Sequence, residues 1–91
     1  DYLALHDELT GLANKALLID RAGQAIDRRR RPEDAQVALL VLDIDLFRQI
    51  NDRYGHGVGD RVLKLVAATL SASCAPQFVG RWGGEEFLFV M

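Results

Sequence analysis

Apolar positions along the chain change period several times, and each change marks an element. After Asn14, a plausible helix N-cap, Leu18, Ala22, Ala25 and Ile26 recur at helical spacing up to an arginine run. Pro32 cannot continue that helix, so Arg28 to Gln36 reads as a polar connection. Val37 to Leu42 is an unbroken apolar run, rich in Val and Leu, that fits a strand buried on both faces and ended by Asp43. Leu46 to Arg53 predicts a short helix with Phe47 and Ile50 turned inward. The stretch Tyr54-Gly55-His56-Gly57-Val58-Gly59 predicts a glycine-dense loop. Asp60 can cap the next helix, whose Leu63, Val66, Ala67 and Leu70 mark one apolar face. Phe78 to Trp82 and Phe87 to Met91 predict two strands flanking Gly83-Gly84, a hairpin signal. The order helix, strand, helix, helix, hairpin is an α/β or α+β pattern.

Composition narrows the picture. The 91 residues are 49% hydrophobic and 26% charged, a globular composition for one small domain with a lean core. Eleven basic against thirteen acidic side chains leave a net charge of −2, so no global field recruits nucleic acid or an anionic membrane. The single cysteine, Cys74, excludes an internal disulfide and suits a reducing, cytoplasmic compartment. The longest apolar run is far short of the roughly 20 residues of a membrane span. The chain opens on Asp1 without a signal peptide, and both ends read as cut.

Two places carry chemistry. Asp43 and Asp45 lie at the carboxyl end of the predicted buried strand, where open α/β sheets place ligands, and hard oxygen donors there suit Mg²⁺. Asp43 is the metal candidate, whereas Asp45 is assigned to capping the following helix. Gly83-Gly84-Glu85-Glu86 puts two carboxylates beside a tight turn. They are either a solvated surface loop or a second acidic ligand set for Mg²⁺-assisted phosphoryl transfer. Arg28 to Arg31, with Asp27, Glu33 and Asp34 nearby, read as a solvated connection favouring a helix C-terminus rather than a nucleic-acid patch.

LDIDLFRQIND (Leu42 to Asp52) runs on into Tyr54-Gly55-His56 and Gly59-Asp60. RWGGEEF (Arg81 to Phe87) follows, and DELTGLAN (Asp7 to Asn14) stands near the start. Three such motifs in this order resemble the GGDEF domain, the catalytic domain of diguanylate cyclases. The resemblance implies a partial nucleotidyl-cyclase, palm-like fold: a mixed sheet with a hairpin carrying GGEEF and helices on its faces. It implies that residues 1–91 are part of such a domain, and that residues 1–6 end a helical connector from an upstream sensory or receiver domain. The parent could be membrane-anchored through an upstream segment, with no membrane contact by this one.

By the same resemblance, two GTP condense to cyclic di-GMP and two pyrophosphates across a homodimer of domains. Asp43, the Ile44 carbonyl, Glu85 and Glu86 match the Mg²⁺ (or Mn²⁺) ligands. Glu85 also matches the general base, and Arg48 stands where a transition-state-stabilising Lys is common. Phe47 and Arg48 match the phosphate-binding turn, where helix N–H groups are free. Asn51 and Asp60 match the guanine contacts, with His56 either a substrate contact or a structural histidine. Asp60 can serve as cap and guanine contact together. Lys15 and Trp82 stand where the family frequently has Arg and Tyr. An Arg-x-x-Asp product-inhibition site is replaced by Cys74 and Gln77, which predicts no feedback through it.

Two other readings stay open: a catalytically silent GTP-binding regulatory module, and another palm-type nucleotidyl transferase. Because the family domain runs further past the hairpin, the strand at Val37 to Leu42 is expected to lack one neighbour and expose an apolar edge. The chain alone is then expected to be inactive, and to pair or swap with a second copy.

Overall fold

A computed structural model describes residues 2–29, 31, 33, 36–73 and 78–90. Its elements are α1 (Tyr2–Leu5), α2 (Lys15–Asp27), β1 (Leu39–Asp43), α3 (Phe47–Tyr54), α4 (His56–Ser73), β2 (Phe78–Gly83) and β3 (Glu86–Val90). The sheet order is β1-β3-β2, with both pairings antiparallel. Among the described residues both ladders of this partial sheet are antiparallel, and the parallel component of the expected mixed sheet is an isolated bridge between Ala13 and Gly80.

Asn14 caps α2 as the sequence predicts, its side chain accepting from the Leu17 N–H at 3.1 Å. Leu17 and Leu18 of α2 pack with Ala13, Leu88 and Val90 into one core on one face of the sheet. Phe47 of α3, Leu63 and Ala67 of α4, and Phe87 form a second core. Phe87 and Leu88 are neighbours in β3, so alternation along that one strand feeds both cores. The β3 strand is central and buried from Phe87 to Val90. Ile26 departs from the predicted apolar face, standing 57% exposed at the end of α2. The connection beyond α2 carries a surface ion pair, Arg31 to Glu33 at 3.6 Å, in keeping with a solvated stretch.

Three further expectations about the elements need correction. First, the run at Val37 to Leu42 is not a strand buried on both faces. Its strand, β1, lies at the sheet edge because β3 takes both partners, and Leu39, Leu40 and Val41 are each more than half exposed. That exposed edge matches the expectation of a missing neighbour. Second, the glycine-dense loop is helix from His56 onward, and only Gly55 breaks the chain, at φ +89°. One residue in the left-handed region suffices to turn α3 into α4, so Gly57 and Gly59 remain helical. Third, Asp60 does not cap α4, since it lies a full turn inside it.

Among the described residues no helix is long and apolar enough to cross a membrane. Pro32, Cys74, Gln77 and Met91 lie outside the described residues, and with them the predicted helix stop and the product-inhibition positions.

The close contact of α2 with β2 depends on Gly80. A Cβ there would stand 2.6 Å from Leu18 Cγ and 2.7 Å from the Ala13 carbonyl oxygen. Backbone and a fully buried leucine cannot both yield, so Gly80→Ala is expected to cost about 2–3 kcal/mol by overpacking. A urea titration checks this: the midpoint should fall with the slope unchanged.

Candidate active site

The site forms where the edge strand, the hairpin turn and the start of α3 meet. Glu86 stands opposite Asp43 in the β1–β3 register, which brings the end of β1 against the hairpin. The ladder ends one residue further on, where the Ile44 N–H donates to the Glu85 carbonyl at 3.2 Å. The Gly84-Glu85 turn is tight, with Gly84 at φ +39° and an irregular register between Arg81 and Gly83 that leaves Trp82 as a bulge. Lys15 Nζ sits 4.6 Å from the centroid of the Trp82 ring and packs the bulge against the start of α2.

Asp43, Ile44, Asp45, Leu46, Phe47, Arg48, Gln49 and Glu85 line a cavity of about 380 Å³. Asp43 and Glu85 bring carboxylate side chains to this lining. The N-terminus of α3 lines the same cavity and gives it a second chemical character. The residue preceding that helix is Leu46, not Asp45, and no side chain caps it. This corrects the capping role expected of Asp45. Leu46 is held at φ +60°, in the left-handed region that disfavours a leucine, and its side chain is 61% exposed. The first intrahelical bond runs from the Ile50 N–H to the Leu46 carbonyl, so Phe47, Arg48 and Gln49 keep N–H groups without helical partners. Those N–H groups, the helix dipole and the exposed Arg48 make the wall attractive to an anion.

The expected residues are not all gathered in one place. Asp43, Ile44, Glu85, Phe47 and Arg48 line one cavity, but Glu86 does not. Asn51 lies on α3 facing α4, with its Oδ1 buried and without a hydrogen-bond partner. Asp60 and His56 are exposed on α4, and Asp60 directly follows the buried Gly59 against which Asn51 packs. Among the described residues, no group of three or more His, Cys, Asp or Glu is assembled as a metal cluster. Asp43 and Glu85 are two hard donors, a number that suits Mg²⁺ when the remaining positions are filled by carbonyl, water and phosphate oxygens.

One cluster behind the site escaped the sequence reading. Arg81 Nη1 donates to both oxygens of Asp7 at 3.1 and 3.2 Å, and its Nε donates to the Gly84 carbonyl at 2.9 Å. Thr10 donates to Asp7 through both its N–H and its hydroxyl, at 2.9 and 2.8 Å. Partial burial alone would raise the Asp7 pKa. The Thr10 hydrogen bonds, followed by those and the charge of Arg81, outweigh burial and lower it below the ordinary carboxylate value. The sequence signal was present in DELTGLAN and RWGGEEF, yet nothing local announces a pair 74 residues apart.

A family model described as "Diguanylate cyclase, GGDEF domain" matches residues 4–91. Diguanylate cyclase DgcP of Pseudomonas aeruginosa is 46% identical over 89 residues, which cover 97% of this chain and 13% of that protein. Response regulator PleD of Caulobacter vibrioides is 40% identical over 90 residues, covering 98% of this chain and 20% of that protein. Among solved structures, the coiled coil and GGDEF domain of DgcB from Caulobacter crescentus, in complex with c-di-GMP, superposes with a TM-score of 0.91 at 35% identity. It covers 99% of this chain and 47% of that one. Diguanylate cyclase SiaD of Pseudomonas aeruginosa, in complex with its activator SiaC, gives a TM-score of 0.87 at 40% identity, covering 99% and 35%. The chain thus spans less than a quarter of the curated relatives described and about half or less of these solved chains.

The depressed Asp7 pKa sets an acid limit on stability. A group whose folded pKa is lowered stabilises the fold above its unfolded value, and that contribution is lost as pH falls through the folded pKa. Stability should therefore drop below about pH 4, the ordinary carboxylate range. Asp7→Ala is expected to remove about 2 kcal/mol at neutral pH and to flatten the acid limb. Urea midpoints measured from neutral to acid pH for both proteins check both effects.

Proposed function

The chain belongs to the GGDEF family of diguanylate cyclase domains, and from that premise we propose that the protein carrying it condenses two GTP into cyclic di-GMP with release of two pyrophosphates. The supporting observation is one cavity lined together by Asp43, Ile44, Glu85, the uncapped N-terminus of α3 and Arg48. Anionic oxygen donors and anion-binding N–H groups in one cavity suit a triphosphate with a divalent cation. Asp43, the Ile44 carbonyl and Glu85, with Glu86 beside them, would hold Mg²⁺ or Mn²⁺, which when bound neutralises phosphate charge.

The chain's own residues then have separate roles. The N–H groups of Phe47 and Arg48 and the Arg48 guanidinium hold phosphate oxygens and stabilise charge that grows on them during reaction. Glu85 accepts the proton of a ribose 3′-hydroxyl. That oxygen forms a bond to the α-phosphorus of the facing nucleotide, while the bond from this phosphorus to the pyrophosphate oxygen breaks. Asn51 and Asp60 bind guanine, with His56 at its side. A carboxylate pairs with the N1–H and 2-amino donors together, a pairing adenine cannot offer. One cavity holds one nucleotide, so the reaction needs a second domain face to face with the first. The helix at Tyr2–Leu5 would end a connector from an upstream domain, a reading in keeping with a solved DgcB structure that comprises a coiled coil and a GGDEF domain.

Incubation of the whole protein with GTP and Mg²⁺, followed by mass spectrometry, tests the proposal. Cyclic di-GMP is the expected product, with no corresponding product from ATP. Asp43→Ala and Glu85→Ala should each lower turnover by ~10²-fold or more. Guanine-selective binding with no cyclic product would instead favour a regulatory module, for which Arg48 in the place of Lys is the residue to examine.

A further inference from the structure

We infer that Gly59 is a positioning residue for guanine selectivity: by leaving no room of its own, it fixes the depth of the Asn51 amide between α3 and α4. The inference rests on the proposed role of Asn51 and extends it to a residue that touches no substrate.

Gly59 is buried in the first turns of α4, where glycine is costly relative to alanine by roughly 0.5–1 kcal/mol. Its φ is not in the left-handed region, so backbone freedom does not require it. The requirement is space. A Cβ at this position would run into Asn51 Oδ1, stand 2.9 Å from Asn51 Cγ and lie 3.3 Å from Phe47 Cζ. Phe47 is core and cannot withdraw, so an added methyl group must displace the amide. Asn51 Oδ1 is meanwhile buried against this glycine and without a hydrogen-bond partner, so no bond to that oxygen holds the amide in place and packing alone sets its depth.

Gly57, one residue after the start of the same helix, gives the internal contrast. Nothing lies within 4 Å of a Cβ there, and its φ is likewise outside the left-handed region. Two glycines of one helix therefore differ in function: the first is replaceable, the second sets the amide. Since Asp60 directly follows Gly59, the same close approach also fixes the spacing of the two expected guanine contacts, one on each helix.

Calorimetric titration of the whole protein with GTP, ITP (which lacks the 2-amino group) and pyrophosphate tests this. Gly59→Ala is expected to weaken GTP binding by tenfold or more and to reduce the GTP-to-ITP preference. Pyrophosphate binding, which reports the α3 N-terminus alone, should stay unchanged. Gly57→Ala should change none of the three and should raise the melting temperature. Unchanged GTP affinity in Gly59→Ala would overturn the inference, and so would equal losses for GTP and pyrophosphate, which would mark mere unfolding. The contact is read separately by melting. Gly59→Ala should lower the melting temperature in the natural background and much less beside Asn51→Ala, where the methyl group finds room; equal losses would overturn the contact. A natural protein that binds GTP no better than ATP would overturn the functional reading itself, while the melting comparison would still report whether Gly59 sets Asn51.

Discussion

The geometry of the site depends on one guanidinium. Arg81 holds Asp7 with one nitrogen and the Gly84 carbonyl with another, so the segment before α2 and the hairpin turn are tied through a single planar group. Both partners are about four-fifths buried, which makes the pair costly to break on one side only. Its backbone takes part too, since the Arg81 N–H donates to the Ala13 carbonyl beside the Ala13–Gly80 bridge. Fixing Gly84 fixes Glu85, whose carbonyl receives the Ile44 N–H and so sets the end of β1. From Asp7 to the cavity, every link is a hydrogen bond or a ladder pair.

Glycine serves two opposite purposes in this chain. At Gly55 and Gly84 it supplies a positive φ, and nothing stands near the missing Cβ. At Gly59 and Gly80 the backbone is ordinary and the missing Cβ is the reason for the residue, because another element occupies that volume. The first kind shapes the turns at either end of the site; the second lets α2 reach β2 and α4 reach α3. Leu46 is the counterexample to the first kind. It takes a positive φ without being glycine, immediately before the N–H groups of α3, where local strain and anion-binding geometry coincide.

Much of this was legible in the sequence. The strands of the hairpin, the Asn14 cap and the inward faces of α3 and α4 follow from period and capping chemistry that act within a few residues. Errors arose where tertiary contacts override local cost. Glycine density at 55 to 59 predicts a loop on propensity alone, but packing against Asn51 and Phe47 stabilises the helix through two of those three glycines. An apolar run predicts burial, yet burial depends on which strand takes the centre, and the Leu39–Asp43 strand pairs on one side only. Of the candidate site, the strand-end aspartate and the hairpin glutamate were legible as chemistry, whereas the Arg81–Asp7 tie and the Asn51–Gly59 contact were not. Both are contacts between elements, and no local pattern encodes which side chains will meet.

The exposed strand and the candidate site meet at one end of the sheet. Leu39 to Leu42 present apolar side chains on both faces of an edge, a surface that water solvates poorly and whose unpaired backbone groups can accept another strand. The cavity lies at the carboxyl end of that same strand, so whatever covers β1 also bears on the position of Asp43. The condensation proposed above would ask for two such cavities to face each other, and would then place the demand for precision on the strand end and on the turn tied to Arg81. A tie behind the turn offsets its desolvation cost by holding the Glu85 backbone against the end of β1, so that Glu85 and Asp43 stay together while the edge of β1 remains open.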